Sequence, residues 1–416
     1  MLFYGVMMKK LSAVILICSM LLLLFNPYYS DAAVRNTIHE KEGEALTVTA
    51  KADAQLDIDS PSAVLIEGST GKIIYEKNKD ERRKPASITK IMTLLLIFEA
   101  LDSGQISLMD QVTVSEYAAS MGGSQVYLEP NETQNVDTMI KCISIASAND
   151  ASVAMAELIA GSEEEFVARM NSRAKELGMN NTNFVNCCGL DTDNHYSSAY
   201  DVALMSRELI TKHPDISKYS TVWMDTIIHK TKRGESEFGL SNTNKLVRFY
   251  QGITGLKTGS TSLAKYCLSA TAKKNNMDLI AVIMAAPDTK ARFQEASKLL
   301  NYGFANYSIY VDENTDTVLE SVKVSKGVKD EVQGQIEKKF SYLCTKGKST
   351  SDIRKEVALY ETIEAPVAKG AKIGEITYFF GNDKIGSVDI VAAEEINKAK
   401  LKDYFIKNLQ RYFMGN

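Results

Sequence analysis

The sequence predicts an α/β protein of the α+β type, in which helices cover an antiparallel sheet and a small all-β domain follows. Strand patterns lie at both ends of a mainly helical region that runs to about Tyr307. Beyond that point short strand patterns alternate with polar turns, and the chain closes on an amphipathic helical pattern. With 416 residues, 45% of them hydrophobic, the chain is long enough to build more than one core.

These patterns divide the chain into five expected segments. They are a signal peptide (1–32), a polar linker (33–61), a main α+β domain (62–307), a β-rich domain (308–393) and an amphipathic helix (394–416). The first segment has a basic start at Lys9 and Lys10, an apolar run and small residues at Ser30 and Ala32, so we expect export. A membrane anchor is the alternative, but 11–25 is shorter than the roughly 20 residues needed to span a bilayer.

Within the main domain, a turn at residues 69–71 separates two strand patterns, which predicts a hairpin. Residues 87–103 are apolar on nearly every face and end at Gly104, as in a helix buried at the centre of a domain. The remaining expected elements are helices over 135–180 and 198–212, strands over 263–272 and 279–286, a helix over 289–303, and strands over 317–324 and 373–380.

Composition excludes several classes of function. A formal net charge of -4 gives no reason to expect a nucleic-acid partner. Neither Cys-x-x-Cys nor His-Glu-x-x-His occurs, so we expect no zinc site and no other cofactor. Five cysteines follow the signal segment, an odd number that leaves at least one unpaired. The adjacent Cys187 and Cys188 are interpreted as small buried residues, with a redox-sensitive pair as the alternative.

The sequence Ser87-Ile88-Thr89-Lys90 is the first candidate catalytic motif. Ser-x-x-Lys also begins at three other serines, so only its context distinguishes Ser87 as a candidate nucleophile. Pro85 suits the first turn of a helix and places Ser87 where the helix dipole favours an oxyanion. Lys90 lies three residues further on the same face. The apolar helix that follows would desolvate this lysine and favour its neutral, basic form.

Two later motifs complete the candidate site. Ser147-Ala148-Asn149 presents a hydroxyl and a carboxamide at a helix end, which suits proton relay and amide binding, although an ordinary helix cap is the alternative. Lys257-Thr258-Gly259 places a cation and a hydroxyl on an expected edge strand, where they can bind a carboxylate. Gly259 leaves room for substrate close to the backbone, and a simple turn is the alternative.

With these motifs in this order, the sequence resembles the low-molecular-mass penicillin-binding proteins of the D-alanyl-D-alanine carboxypeptidase type, which are related to serine β-lactamases. The resemblance extends over most of the chain. It includes 62–78, 85–93, Gly189-Leu190-Asp191, Asn244-Lys245-Leu246 and 255–259. It implies a β-lactamase/penicillin-binding transpeptidase-like catalytic domain, a trailing β domain and a C-terminal membrane-associated helix.

The resemblance also implies roles for the motif residues. The substrates would be peptidoglycan stem peptides ending in D-Ala-D-Ala, and β-lactam antibiotics would be covalent inhibitors. The implied roles are Ser87 as nucleophile, Lys90 as base, Ser147 as proton relay, Asn149 as amide ligand, Lys257 and Thr258 as carboxylate ligands, and the backbone N–H groups of Ser87 and Ser260 as oxyanion hole beside Gly259. Some relatives carry His or an aromatic residue where this chain has Ser260, which concerns substrate preference.

Other functions remain open at this level. A β-lactamase shares the serine and lysine chemistry but needs a base for rapid deacylation. Glu163, Glu164 and Glu165 do not supply one, since they form a charge run on an expected solvated helix face. A transpeptidase differs only in the acyl acceptor. A non-catalytic wall- or penicillin-binding module is the alternative outside enzymes, but the intact motifs oppose it.

The C-terminal pattern predicts a membrane-surface helix. From Ile396 onward, apolar and aromatic residues recur at three- and four-residue steps while lysines occupy other faces. On an exported protein such a basic amphipathic helix suits the outer face of the membrane. The alternative is a helix docked on its own domain.

Overall fold

The computed structural model describes residues 56–313, 319–345 and 347–414. Its centre is a five-stranded antiparallel sheet in the order β2-β1-β9-β8-β7, so strands from both ends of the main domain meet as predicted. The strands of this sheet are β1 (Ser62–Glu67), β2 (Ile73–Lys77), β7 (Ile253–Thr261), β8 (Lys265–Lys274) and β9 (Met277–Ala286).

The sheet is buried on both faces because its central strands alternate two apolar sets. Val64 and Ile66 of β1 point into the larger core beneath the helical region, whereas Ala63 and Leu65 point into a second core. A single long helix, α9, packs over that second core. The strand β7 is at the edge of this sheet and, among the described strands, pairs with β8 alone.

The helical region has short helices around one central, buried helix. Helix α1 follows a 3-10 turn, Ala86–Thr89, so the predicted helix over 87–103 starts in a tighter geometry than expected. The helices of this domain are α1 (Lys90–Asp102), α2 (Glu116–Ala119), α3 (Val136–Ser144), α4 (Asn149–Ala160), α5 (Glu163–Glu176), α6 (Ala199–Lys212), α7 (Ser217–Ser220), α8 (Leu246–Phe249) and α9 (Thr289–Asn306). Two further two-stranded antiparallel sheets pair β3 (Gln111–Thr113) with β4 (Thr133–Asn135), and β5 (Met224–Thr231) with β6 (Gly234–Ser241).

The packed domain begins before residue 62. Ile58 and Ser60 are buried, and the Ser60 amide donates to the Glu295 carboxylate on α9. The expected linker over 33–61 is therefore wrong for its last residues. The polar sequence of this segment gives no sign of burial, because the Ser60 amide is satisfied by the Glu295 carboxylate, 235 residues away. The expected signal peptide, and most of the linker, lie outside the described residues.

A smaller all-β domain follows α9. It has its own core, in which Tyr378 stacks on Phe340 with ring centroids 3.8 Å apart. Its strands are β10 (Tyr307–Val311), β11 (Val322–Ser325), β12 (Glu331–Val332), β13 (Gly334–Ile336), β14 (Ser341–Thr345), β15 (Ile353–Leu359), β16 (Thr362–Glu364), β17 (Lys372–Phe380) and β18 (Asp383–Ala392). The strand predicted over 317–324 is shorter and later than expected, and 317–318 lie outside the described residues.

The last helix, α10 (Leu401–Met414), starts later than the predicted residue 394. Ile396 instead pairs with Val367 and is fully buried in the core of the β domain, so its apolar side chain belongs to that core and not to a helix face. Among the residues that the structure describes, no helix is both long and apolar enough to cross a membrane.

Candidate active site

The Lys90 amine is the centre of the candidate site. Its Nζ atom lies 3.2 Å from Ser87 Oγ, 2.5 Å from Asn149 Oδ1 and 2.8 Å from the carbonyl oxygen of Cys188. Lys90 is fully buried at the first turn of α1, while Ser87 in the preceding 3-10 turn remains partly exposed. The predicted contact between hydroxyl and amine is therefore present, with the hydroxyl accessible from one side.

The second motif is not a helix cap. Ala148 is the N-cap of α4 and makes no side-chain capping bond, while Ser147 before it has a left-handed φ of 64°. Asn149 points its carboxamide inward, accepting from Lys90 and donating to the Gly122 carbonyl at 2.6 Å. Both ends of the Asn149 carboxamide therefore bond to groups of the site and not to the helix terminus, which decides against the capping alternative.

The third motif lies within a strand and not in a turn. Lys257 and Thr258 are in the middle of β7, the edge strand expected for carboxylate binding. The Thr258 hydroxyl donates to Thr243 Oγ1 at 2.7 Å, and the Thr243 amide donates to the carbonyl of Ile145 at 3.3 Å. These bonds connect β7 to Ile145, two residues before Ser147, while Asn149 of the second motif bonds Lys90 of the first.

Gly259 is required for a reason other than the predicted one. A Cβ atom at this position would lie 2.9 Å from the amide nitrogen of Ser87 and 2.8 Å from the Pro85 carbonyl. The backbone of the nucleophile turn, and not a substrate, occupies the space that a side chain would need. Ser260, the next residue, is exposed beside that turn.

A second glycine supports the same turn from another segment. Gly189 has a φ of 86°, and a Cβ there would lie 1.8 Å from the Ala86 carbonyl oxygen. Ala86 itself adopts a φ of 49°, an uncommon value for a residue with a side chain. The turn that presents Ser87 is therefore packed between two glycine backbones.

Burial controls the charge of both lysines. Desolvation lowers the pKa of Lys90, against the opposing influence of Cys188, Cys187 and Asp150. Desolvation also holds the pKa of Lys257 well below its usual range, and the positive charges of Lys90 and Arg292 act in the same direction. Because both amines are buried and repel each other when charged, at least one of the two lysines is favoured in its neutral form. A general base needs that form.

Several contributors to the site have no motif in the sequence. The Cys188 carbonyl binds Lys90, and the Arg292 guanidinium donates to the Gly259 carbonyl at 3.2 Å. Asp150 is buried and accepts from the amides of Val126 and Leu128, which fixes the loop above α4. Backbone acceptors and partners distant in sequence produce neither a hydrophobic period nor a motif of fixed spacing, so the sequence alone does not reveal them.

The sequence predicts that Glu163 belongs to a charge run on a solvated helix face. In the structure its side chain instead makes specific contacts with other segments. Its carboxylate accepts from the Cys187 amide at 2.9 Å and from the Tyr117 hydroxyl at 2.7 Å. Its neighbours Glu164 and Glu165 are exposed. Position in the first turn of α5 places the side chain of Glu163 over the segment that carries Cys187 and Cys188.

Comparison with known proteins shows the family to which the chain belongs. Residues 47–288 match the family described as D-alanyl-D-alanine carboxypeptidase, and residues 311–398 match the C-terminal domain of penicillin-binding protein 5. The chain is 46% identical to D-alanyl-D-alanine carboxypeptidase DacF of Bacillus subtilis over 84% of its length and 89% of that protein. It is 31% identical to DacC of Escherichia coli over 86% of its length and 90% of that protein.

A solved structure shares the two-domain fold. Penicillin-binding protein 5 from Haemophilus influenzae superposes with a TM-score of 0.69 at 32% identity, covering 82% of this chain and 98% of that one. Fold and family together define a serine-type peptidase. More specifically, the chain belongs to the D-alanyl-D-alanine carboxypeptidase family, as the sequence motifs predicted.

Proposed function

We propose that this protein removes the terminal D-alanine from peptidoglycan pentapeptide stems through an acyl-enzyme on Ser87. The observation that carries the proposal is the 3.2 Å contact between Lys90 Nζ and Ser87 Oγ, made by a fully buried amine. A serine hydroxyl is a weak nucleophile until an adjacent base accepts its proton. Lys90 has the position and the lowered pKa for that role.

In acylation, Ser87 Oγ attacks the carbonyl carbon of the penultimate D-alanine while its proton passes to Lys90. The backbone N–H groups of Ser87 and Ser260 stabilise the resulting oxyanion, where each such donor can contribute about 3 kcal/mol. Ser147 gives its hydroxyl proton to the leaving amine and takes the proton that Lys90 carries, so the C–N bond breaks and D-alanine departs. Water then attacks the ester carbonyl, releasing the shortened peptide and restoring the Ser87 hydroxyl.

Substrate orientation comes from the other motif residues. Lys257 and Thr258 bind the terminal carboxylate along β7, which runs as an open edge of the sheet. Asn149 binds the peptide amide and also holds the Lys90 amine. A β-lactam carries a carboxylate and a reactive amide carbonyl, so it acylates Ser87 in the same way and inhibits the enzyme.

The proposal is tested by incubating the protein with a peptide ending in D-Ala-D-Ala and assaying free D-alanine. Wild type should release it and Ser87→Ala should not. Ser172→Ala is a matched control, because Ser172 also begins a Ser-x-x-Lys sequence but is exposed on α5. A penicillin adduct on Ser87 that persists for minutes supports the carboxypeptidase, whereas rapid turnover of the antibiotic would favour a β-lactamase.

The same proposal includes a location on the outer face of the cytoplasmic membrane, as a peripheral protein. The support is α10, where Leu401, Phe405 and Leu409 form an exposed apolar stripe. Lys407 on another face pairs with Asp330 at 2.5 Å, which anchors the helix to the β domain. An apolar stripe held outward in this way suits insertion between lipid headgroups.

A further inference from the structure

Two thiols and a carboxylate lie together directly behind the Lys90 amine. The Sγ atoms of Cys187 and Cys188 are 3.7 Å apart, and both side chains are buried. Ligand atoms of Glu163, Cys187 and Cys188 all lie within 4.8 Å of one another. The proposed reaction uses none of these three side chains, so their convergence needs another explanation.

The spacing of the sulfur atoms matches a tetrahedral metal centre. A Zn²⁺–thiolate bond is about 2.3 Å long, and two such bonds at the tetrahedral angle place their sulfurs about 3.8 Å apart. The observed 3.7 Å is within a tenth of an ångström or so of that value. A carboxylate oxygen is a common third ligand of Zn²⁺, and Glu163 offers two.

The carboxylate also has oriented partners and a route from solvent. Its two oxygens accept from the Cys187 amide and the Tyr117 hydroxyl, which hold it over the thiols. Glu163 lines an open surface cleft of about 400 Å³, together with Glu157 and Glu164. A cation would therefore enter through an acidic mouth and meet Glu163 before the thiols.

We propose that Glu163, Cys187 and Cys188 form a binding site for a thiophilic divalent cation of the Zn²⁺ type. On binding, each thiol releases its proton to solvent and each sulfur forms a bond to the metal, with no change of oxidation state. The cation and three anionic ligands carry one net negative charge. A water molecule from the cleft completes four-coordination.

The site lacks a recognisable zinc motif because its ligands come from two segments. The two cysteines are adjacent in sequence, and the third ligand lies 24 residues earlier at the start of α5. Because the Cys188 carbonyl accepts from Lys90, the cation would fix the segment that positions the proposed base. A bound cation would therefore stabilise the fold beside the reaction centre.

The test uses the full chain, reduced and stripped of metal with a chelator. Titration with Co²⁺ should give thiolate-to-metal charge-transfer absorption, and Zn²⁺ should displace the Co²⁺, bind at one ion per chain in equilibrium dialysis and raise the unfolding temperature. Cys187→Ala and Glu163→Gln should each weaken binding at least about tenfold, the effect that even loss of an outer-shell partner produces. Glu163→Gln leaves both thiols in place, so it remains informative if the cysteine variant folds poorly.

Cys344→Ala is the matched control, since Cys344 is a buried thiol in β14, within the other domain. It should bind Zn²⁺ like wild type. Failure of reduced wild type to bind one ion, or unchanged binding in both Cys187→Ala and Glu163→Gln, would overturn the proposal. Because every readout is metal binding or stability, these results are independent of whether the protein releases D-alanine.

Discussion

Lys90 Nζ and Asn149 Oδ1 are 2.5 Å apart, so the first and second motifs are joined by a direct hydrogen bond. The Asn149 carboxamide donates its N–H to Gly122, which fixes its orientation and leaves the oxygen directed at the amine. A residue that the resemblance implied as a substrate ligand therefore also positions the proposed base. Besides its contact with Ser87, the Lys90 amine is held by Asn149 and by the Cys188 carbonyl before any substrate arrives.

The first prediction concerns the pH dependence of acylation. Lys90 can accept the Ser87 proton only as a neutral amine, and burial lowers its pKa from 10.5. We expect the rate of covalent reaction with a penicillin to rise with pH and level off below pH 10.5. Mass spectrometry of the adduct against time gives this rate, and a rise centred at or above pH 10.5 would contradict the assignment.

Lys90→Arg tests the same point at fixed pH. An arginine stays protonated, so it cannot serve as the base. We expect acylation to slow by about 10²- to 10⁴-fold, the usual contribution of general-base catalysis. Near-normal acylation by this variant would exclude Lys90 as the proton acceptor.

The second prediction concerns recognition of the terminal carboxylate. Loss of a hydrogen bond to a charged group costs about 1.5–3 kcal/mol, so Lys257→Gln should lower kcat/KM for a D-Ala-D-Ala peptide roughly 10- to 150-fold. The peptide with a C-terminal amide should react slowly with wild type and lose little more in the variant. Lys265→Gln is the control, since Lys265 is exposed at the end of the β7–β8 hairpin. Equal losses for acid and amide peptides would show that Lys257 does not read the carboxylate.

The third prediction separates backbone strain from a steric clash by means of two glycines. Gly178 and Gly189 have similar φ values of 75° and 86°, but a Cβ at Gly178 would meet no atom within 4 Å. Gly178→Ala should therefore cost only about 1–2 kcal/mol of stability and leave penicillin acylation intact. Gly189→Ala would push against the Ala86 carbonyl, so we expect a larger loss of stability and acylation slowed at least about tenfold. Urea unfolding and adduct formation measure the two effects, and equal behaviour of the variants would show that the turn tolerates displacement.

The sequence predicted the fold class and the catalytic motifs because both depend on local patterns. Short continuous apolar runs mark β1 and β9, and a longer one marks α1. The contact between Ser87 and Lys90 follows from helical spacing alone. Order and context of three short motifs were then enough to select a family.

Features that depend on contacts distant in sequence could not be predicted in this way. The burial of Ser60 requires Glu295, and the role of Glu163 requires the segment at Cys187. Gly259 was expected to make room for substrate, but its neighbour is the turn of Ser87. In each case the interaction partner is distant in sequence and is brought close only by the topology of the sheet and helices.

The fourth prediction concerns membrane binding by α10. Deletion of residues 401–416 should remove binding to vesicles that contain anionic lipid, because the exposed Phe405 and Leu409 are lost with it. Phe405→Glu in the full chain should weaken binding without removing the helix. Asn408→Glu, an exposed substitution of the same charge at a polar position, is the control and should matter less. Sedimentation with vesicles measures binding, and unchanged sedimentation of both the deletion and Phe405→Glu would argue against this surface.

The fifth prediction concerns His195, which is buried behind the nucleophile turn. The Val185 amide donates to Nδ1 at 3.0 Å, so Nδ1 is unprotonated and Nε2–H donates to Thr89 Oγ1 at 2.8 Å. Burial, with a smaller contribution from Lys84, lowers the pKa of His195 from 6.5 to about 4. The folded state therefore binds fewer protons than the unfolded chain between these values.

Stability from this group is present above pH 6.5 and is lost as pH falls toward 4, where the loss levels off. The difference between these two pKa values corresponds to roughly 3 kcal/mol. His195→Gln removes the titrating group, so its unfolding free energy should fall less over this range than that of wild type. Carboxylates such as Asp150, whose pKa is raised by burial, are common to both proteins and cancel in the difference. Urea unfolding at pH 4.5, 5.5 and 7 measures it, and parallel pH profiles for the two proteins would mean that His195 is not held neutral.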